Sequence, residues 1–115
     1  MTVLGIDLRS SPQHDSSVAI LSESDKSLQT LTSFKTDEEL SGIVLDQTPD
    51  QIAIGTPLTL PSGMCCLEQA CQCVSDNHNQ KGRLCEIELA QMGISCFFTS
   101  KGSIITKLIY RAMTI

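Results

Sequence analysis

Apolar and polar positions divide the chain into eight short segments. Residues 2–8, TVLGIDL, form a β-branched apolar run that ends on one carboxylate, Asp7. Such a run predicts a buried strand. RSSPQHDSS follows as a turn, with Pro12 as the breaker. SVAILSES (17–24) predicts a second strand, DKS a tight connection, and LQTLTSF (28–34) a third strand. Three strands joined by short turns predict an antiparallel meander. Thr36 then precedes Asp37, Glu38 and Glu39, the spacing of a capping box. Leu40, Ile43 and Val44 supply the apolar stripe of a short helix, which TPDQ ends. QIAIGTPL (51–58) predicts a fourth strand, interrupted by Pro57. A strand reached through a helix implies a parallel crossover.

Residues 59–82 lack either periodicity and read as irregular chain. GRLCEIELAQMG (82–93) predicts a helix closed by Gly93. ISCFFTS (94–100) predicts a fifth strand. Ser103 is placed to cap a last helix, SIITKLIYRAM, with Ile104, Ile105, Leu108, Ile109 and Ala112 on one face and Lys107 and Arg111 on another. The expected order is β-β-β-α-β-α-β-α. It predicts a single α/β domain over 1–115 with an RNase H-like layout: a three-stranded antiparallel meander extended by parallel crossover strands, with helices.

Composition narrows the function classes. The chain has 115 residues and a net charge of −5, with a mean hydropathy of +0.06. Those values fit a folded domain rather than a disordered segment. No apolar run reaches the ~18–20 residues of a membrane span. The N-terminus, MTVLGIDLRS, lacks a basic n-region and a long apolar h-region, so a cytoplasmic location is expected. Charge is uneven: residues 1–80 carry net −8 and residues 81–115 net +3. A local basic face is therefore confined to the last third. Four of the six cysteines fall between positions 65 and 73, a clustering unlike a disulfide framework, and reduced thiols are expected. Aromatics are limited to Phe34, Phe97, Phe98 and Tyr110, too few for a base-stacking platform.

Three segments carry a family resemblance: GIDLRSS (5–11), IAIGTPLTLPSG (52–63) and GRLCEIELAQMGISCFFTSKGSIITKL (82–108). Together they resemble an uncharacterised family of predicted RNase H-like nucleases. That family's pattern has an Ile-Asp-Ala-Pro-Leu-x-Leu-Pro strand end and an Arg-x-Cys-acid-x-Glu-Leu helix, then Gly-Ile and a Phe-containing strand. The chain departs from the pattern at Gly55, where the family has an acid before Ala-Pro-Leu. Family members usually continue beyond the final helix, so the domain is expected to be incomplete relative to them. The resemblance implies phosphodiester hydrolysis with two divalent ions held by carboxylates. Asp7 would be the first-strand ligand, with Glu88 and Glu86 from the helix as further catalytic and metal-ligating candidates. Mg²⁺ or Mn²⁺ would be the cofactor, and nucleic acid the partner.

The residues themselves weigh those candidates differently. On a helical wheel, Glu88 falls within the arc of Leu84, Cys85, Leu89 and Met92, whereas Glu86 falls opposite, near Arg83. A carboxylate on a buried arc needs a metal, a cation or a hydrogen-bond donor. Ser10, Lys107 and Arg111 are weak candidates for phosphate contacts. The competing reading is a Zn²⁺ site built from Cys66, Cys71, Cys73 and Cys85, with His78 nearby. Only Cys66-x₄-Cys71 has standard ligand spacing. That reading makes the protein a catalytically inactive RNase H-like binding or assembly module. The uncharged ISCFFTS strand and the apolar face of the last helix also predict a homo-oligomer.

Overall fold

The computed structural model describes residues 1–76 and 81–115. It shows a small α/β protein with a mixed four-stranded sheet and three helices. The chain divides into two compact units, Met1–Thr56 and Pro57–Thr114.

The first unit contains the whole sheet. β1 (Thr2–Asp7) pairs antiparallel with β2 (Ser16–Ser22), which pairs antiparallel with β3 (Ser27–Phe34). Asp25 makes the β2–β3 turn. Its carboxylate accepts the Ser27 N–H at 3.0 Å, and Lys26 takes a positive φ of 52°. The meander is therefore as expected. α1 (Asp37–Gln47) leads into β4 (Gln51–Ile54), which lies parallel to β1, giving the order β3-β2-β1-β4. Asp50 fixes that crossover: its Oδ2 accepts the Thr2 N–H at 2.7 Å, and its own N–H donates to the Thr2 carbonyl.

Register puts the apolar residues on one face. Leu4 lies opposite Ile20 and Ile52, and Ile6 opposite Val18 and Ile54. Leu4, Ile6, Val18 and Ile20 are buried, as are Phe34 and Leu40. Alternation along β1 and β2 leaves Gly5, Asp7, Ser17 and Ala19 on the other face. Thr36 caps α1 by accepting the Glu39 N–H at 3.2 Å. Glu39 reaches back one residue further than a standard capping box, to the Lys35 N–H at 2.8 Å.

The second unit contains α2 (Leu84–Gln91), α3 (Thr106–Thr114) and connecting chain. Gly93 ends α2 at φ +81°, and the Ile94 N–H donates to the Leu89 carbonyl at 3.0 Å. Ser103 caps the approach to α3 by accepting the Ile105 N–H at 3.3 Å. The expected fifth strand does not form: 94–100 is irregular. A β-prone run becomes a strand only with a ladder partner, and no other strand exists in this unit among the described residues. Instead the Thr99 N–H donates to Glu86 Oε2 at 2.8 Å. The apolar face of α3 is also partly revised. Ile109 and Ala112 are buried, but Ile104 is 84% exposed. No described helix is long and apolar enough to cross a membrane.

Candidate metal centre

The four clustered cysteines lie on a loop whose base is closed by one polar bridge. The Asp76 N–H donates to the Ser62 carbonyl at 2.8 Å, and the Ser62 hydroxyl donates to Asp76 Oδ2 at 2.6 Å. Gly63 sits beneath the bridge at φ +89°, where a Cβ would collide with the Asp76 carboxylate. Beyond this base the chain turns at residues 68–71, with the Cys71 N–H donating to the Glu68 carbonyl at 3.2 Å. Leu67 is buried and anchors the middle of the loop. Its N–H donates to the Tyr110 hydroxyl of α3 at 2.7 Å. The Lys101 ammonium donates to the Cys71 carbonyl.

This path brings Cys65, Cys66, Cys71 and Cys73 together, with all four Sγ atoms within 4.8 Å of one another. Three separations are 3.9 Å (Cys65–Cys66), 3.6 Å (Cys65–Cys71) and 4.0 Å (Cys66–Cys73). A tetrahedral zinc with Zn–S bonds of about 2.3 Å requires S···S edges of roughly 3.8 Å. A disulfide would need about 2.05 Å, and all the cysteines are free thiols. Three sulfur separations therefore lie close to the edge length of a ZnS₄ tetrahedron, and all six fall within 4.8 Å. Four close cysteines of this kind can hold a metal such as zinc.

Crowding also sets the thiol chemistry. Hydrogen bonding with Cys71 and then Cys73 pushes the Cys65 thiol up to about 12. Backbone hydrogen bonds from Cys65 and Cys66 pull Cys73 down to about 6. Hydrogen bonding thus favours the thiolate at Cys73 and the thiol at Cys65. A bound divalent cation would deprotonate its cysteine ligands.

The structure redistributes the expected site residues. Cys66, Cys71 and Cys73 are in the cluster. Cys85 is exposed on α2 and outside it. Cys65 takes the fourth position. The knuckle spacing rule passes over it because adjacent residues in extended chain point apart; here the chain bends at Cys65. His78 lies outside the described residues.

The two helix carboxylates are reversed from expectation. Glu86 is 3% exposed, whereas Glu88 is exposed. Leu84 and Met92, placed on the same arc as Glu88, are also exposed, at 61% and 72%. Glu86 Oε2 accepts the N–H groups of Arg83 (2.9 Å) and Thr99 (2.8 Å). Its Oε1 accepts Arg83 Nε–H (2.9 Å) and the Thr99 hydroxyl (2.5 Å). Burial alone would raise its carboxyl, but the Thr99 and Arg83 donors outweigh it and hold the group below the ordinary glutamate value. Both oxygens are committed to joining α2 to the 94–100 segment. Gly82, at φ +88°, leaves the room they need: a Cβ there would lie 2.5 Å from Glu86 Oε2.

Asp7 is exposed at the end of β1, opposite Ser17, beside Gly55 in a shallow depression. Ser10 is exposed. Lys107 is exposed, but Arg111 is buried and does not share its solvated face. Among the described residues, the four cysteines are the one group of three or more metal-ligating side chains; no carboxylate cluster for Mg²⁺ or Mn²⁺ accompanies them. Comparison with protein-family models, curated proteins and solved structures finds no match.

Proposed function

We propose that this protein is a non-catalytic binding or assembly module of RNase H-like architecture, with a structural zinc ion on its cysteine loop. The observation that carries the reading is the packing of Cys65, Cys66, Cys71 and Cys73 sulfurs within 4.8 Å. Four protein thiolates fill a tetrahedral zinc and leave no position for substrate, which is the pattern of a structural site. The loop between Ser62 and Asp76 has no helix or strand of its own, so a metal would supply the stabilisation that regular hydrogen bonding does not. The β3-β2-β1-β4 order, with a parallel β1–β4 pair, supports the architectural part. Gly55 in place of an acid, and a Glu86 carboxylate already saturated with donors, support the loss of catalysis.

Self-assembly is supported by β3. It lies at the sheet edge, carries no charge across Ser27–Phe34, and exposes Leu28 and Leu31. Uncharged edges pair readily with another chain. Cobalt(II) substitution tests the metal. A tetrahedral tetrathiolate spectrum supports the reading, and an octahedral aquo spectrum contradicts it.

A second reading, metal-dependent phosphodiester hydrolysis, is favoured by the exposure of Asp7 at the end of β1. Asp7 would be a Mg²⁺ or Mn²⁺ ligand, with Glu88 a further candidate and Lys107 a nucleic-acid phosphate contact. This reading predicts that Mn²⁺ raises the melting temperature of the native chain and not of Asp7→Asn.

A further inference from the structure

We propose that the cysteine loop is also a peroxide modification site, at which oxidation joins Cys65 to Cys71 and Cys66 to Cys73 and expels the metal. The proposal rests on the zinc reading and adds its regulation. The sulfurs are reachable. Cys65 is exposed, the other three are half-buried, and the intervening Glu68, Gln69, Ala70 and Gln72 are exposed. Thiolate is the form that reacts with peroxide, and zinc binding holds the cysteines in that form.

Geometry selects the pairing. Four cysteines allow three connectivities. Pairing Cys65 with Cys66 is opposed by the trans peptide between them, which fixes their Cα atoms at about 3.8 Å. Disulfides usually span Cα separations of about 4.4–6.8 Å. Of the remaining two connectivities, Cys65–Cys71 at 3.6 Å with Cys66–Cys73 at 4.0 Å has sulfur–sulfur hydrogen-bond contacts at both bonds, while the crossed pairs lie within 4.8 Å. Irregular chain between the partners lets each pair of sulfurs close to bonding distance without breaking a helix or strand.

The chemistry balances with hydrogen peroxide as oxidant. A cysteine thiolate attacks one peroxide oxygen, and the O–O bond breaks. Hydroxide leaves and takes a proton to become water. The resulting sulfenic acid is attacked at sulfur by the partner thiolate. The S–S bond forms, the S–O bond breaks, and a second hydroxide leaves and is protonated. Each disulfide consumes one peroxide and two protons and yields two waters. Both disulfides together remove all four thiolate ligands, so Zn²⁺ departs. Dithiol reductants reverse the exchange.

The test uses the full chain carrying Cys85→Ser, which removes an exposed thiol outside the cluster. Zinc-loaded protein is titrated with hydrogen peroxide while released zinc is read with a chromogenic chelator. Cleavage at Glu68 and tandem mass spectrometry then assign the pairing. Complete zinc release at two equivalents of peroxide, with Cys65–Cys71 and Cys66–Cys73 bonds, is the expected result. Recovery of binding after dithiothreitol and added zinc is expected too. Zinc retained under excess peroxide, release through sulfonic acids, or the crossed pairing overturns the switch while leaving the metal site standing. A chain that binds no zinc before oxidation overturns the metal reading and the switch with it.

Discussion

The Tyr110 hydroxyl accepts the Leu67 N–H at 2.7 Å, a bond between residues 43 apart in sequence. Leu67 directly follows Cys66, so this bond ties α3 to the cysteine loop. Under the proposed zinc reading, metal binding is expected to be coupled to the anchoring of α3. Tyr110→Phe removes the acceptor and strands a part-buried amide, at a cost of about 1–3 kcal/mol. Chemical denaturation of the zinc-loaded variant checks this. Unchanged stability, with zinc still bound, would show that the loop does not depend on α3.

Glu86 gives the fold a specific acid sensitivity. Its folded carboxyl titrates below its unfolded value. Its contribution is therefore complete above the unfolded glutamate value of about 4.3. It is lost as pH falls through the lower folded value. Glu86→Gln removes the charge that four donors address, which costs about 2–4 kcal/mol near neutrality. The difference in stability between the native chain and the variant shrinks as pH drops below about 4.3. Urea titrations at a series of pH values measure it; a gap that widens in acid contradicts the assignment.

Much of the sheet was legible because alternation has a direct physical meaning. Leu4, Ile6, Val18 and Ile20 repeat every second residue, and one buried face follows from that spacing. The Thr36 cap was legible for a similar local reason. Features that depend on distant partners were not. ISCFFTS has strand composition but no strand beside it, and Thr99 bonds Glu86 instead. The wheel placed Glu88 inside by assuming that the apolar arc is the buried one. Glu86 is inside because the first turn of α2 turns its carboxylate toward Arg83 and Thr99. Cys65 was visible beside Cys66, but knuckle spacing gave no reason to choose it over Cys85.

The β3 edge predicts concentration-dependent association. Leu31 is 68% exposed in a strand without a charge. Leu31→Lys places a charge at that edge, the device by which natural edges resist pairing. Sedimentation velocity across a dilution series is expected to show association of the native chain and a shift toward monomer in the variant. Identical distributions for the two proteins place any interface elsewhere.

Gly63 should be intolerant of substitution because its conformation and its space are both committed. Gly63→Ala introduces a Cβ at φ +89° against the Asp76 carboxylate, at the closure of the metal loop. The strain is about 1–3 kcal/mol and acts on the loop. Zinc affinity, measured by competition with a chromophoric chelator, is expected to fall by roughly tenfold or more. Native affinity in this variant would mean that the Ser62–Asp76 bridge does not shape the site.

The most direct measurement is zinc content per chain by elemental analysis, on the native protein and two serine variants. One tightly held zinc is expected in the native chain. It should be retained in Cys85→Ser, lost or reduced to substoichiometric levels in Cys65→Ser, and removed from the native chain by chelator with loss of cooperative unfolding. A native chain without zinc, or one that loses its zinc through Cys85→Ser and keeps it through Cys65→Ser, would contradict the Cys65–Cys66–Cys71–Cys73 centre.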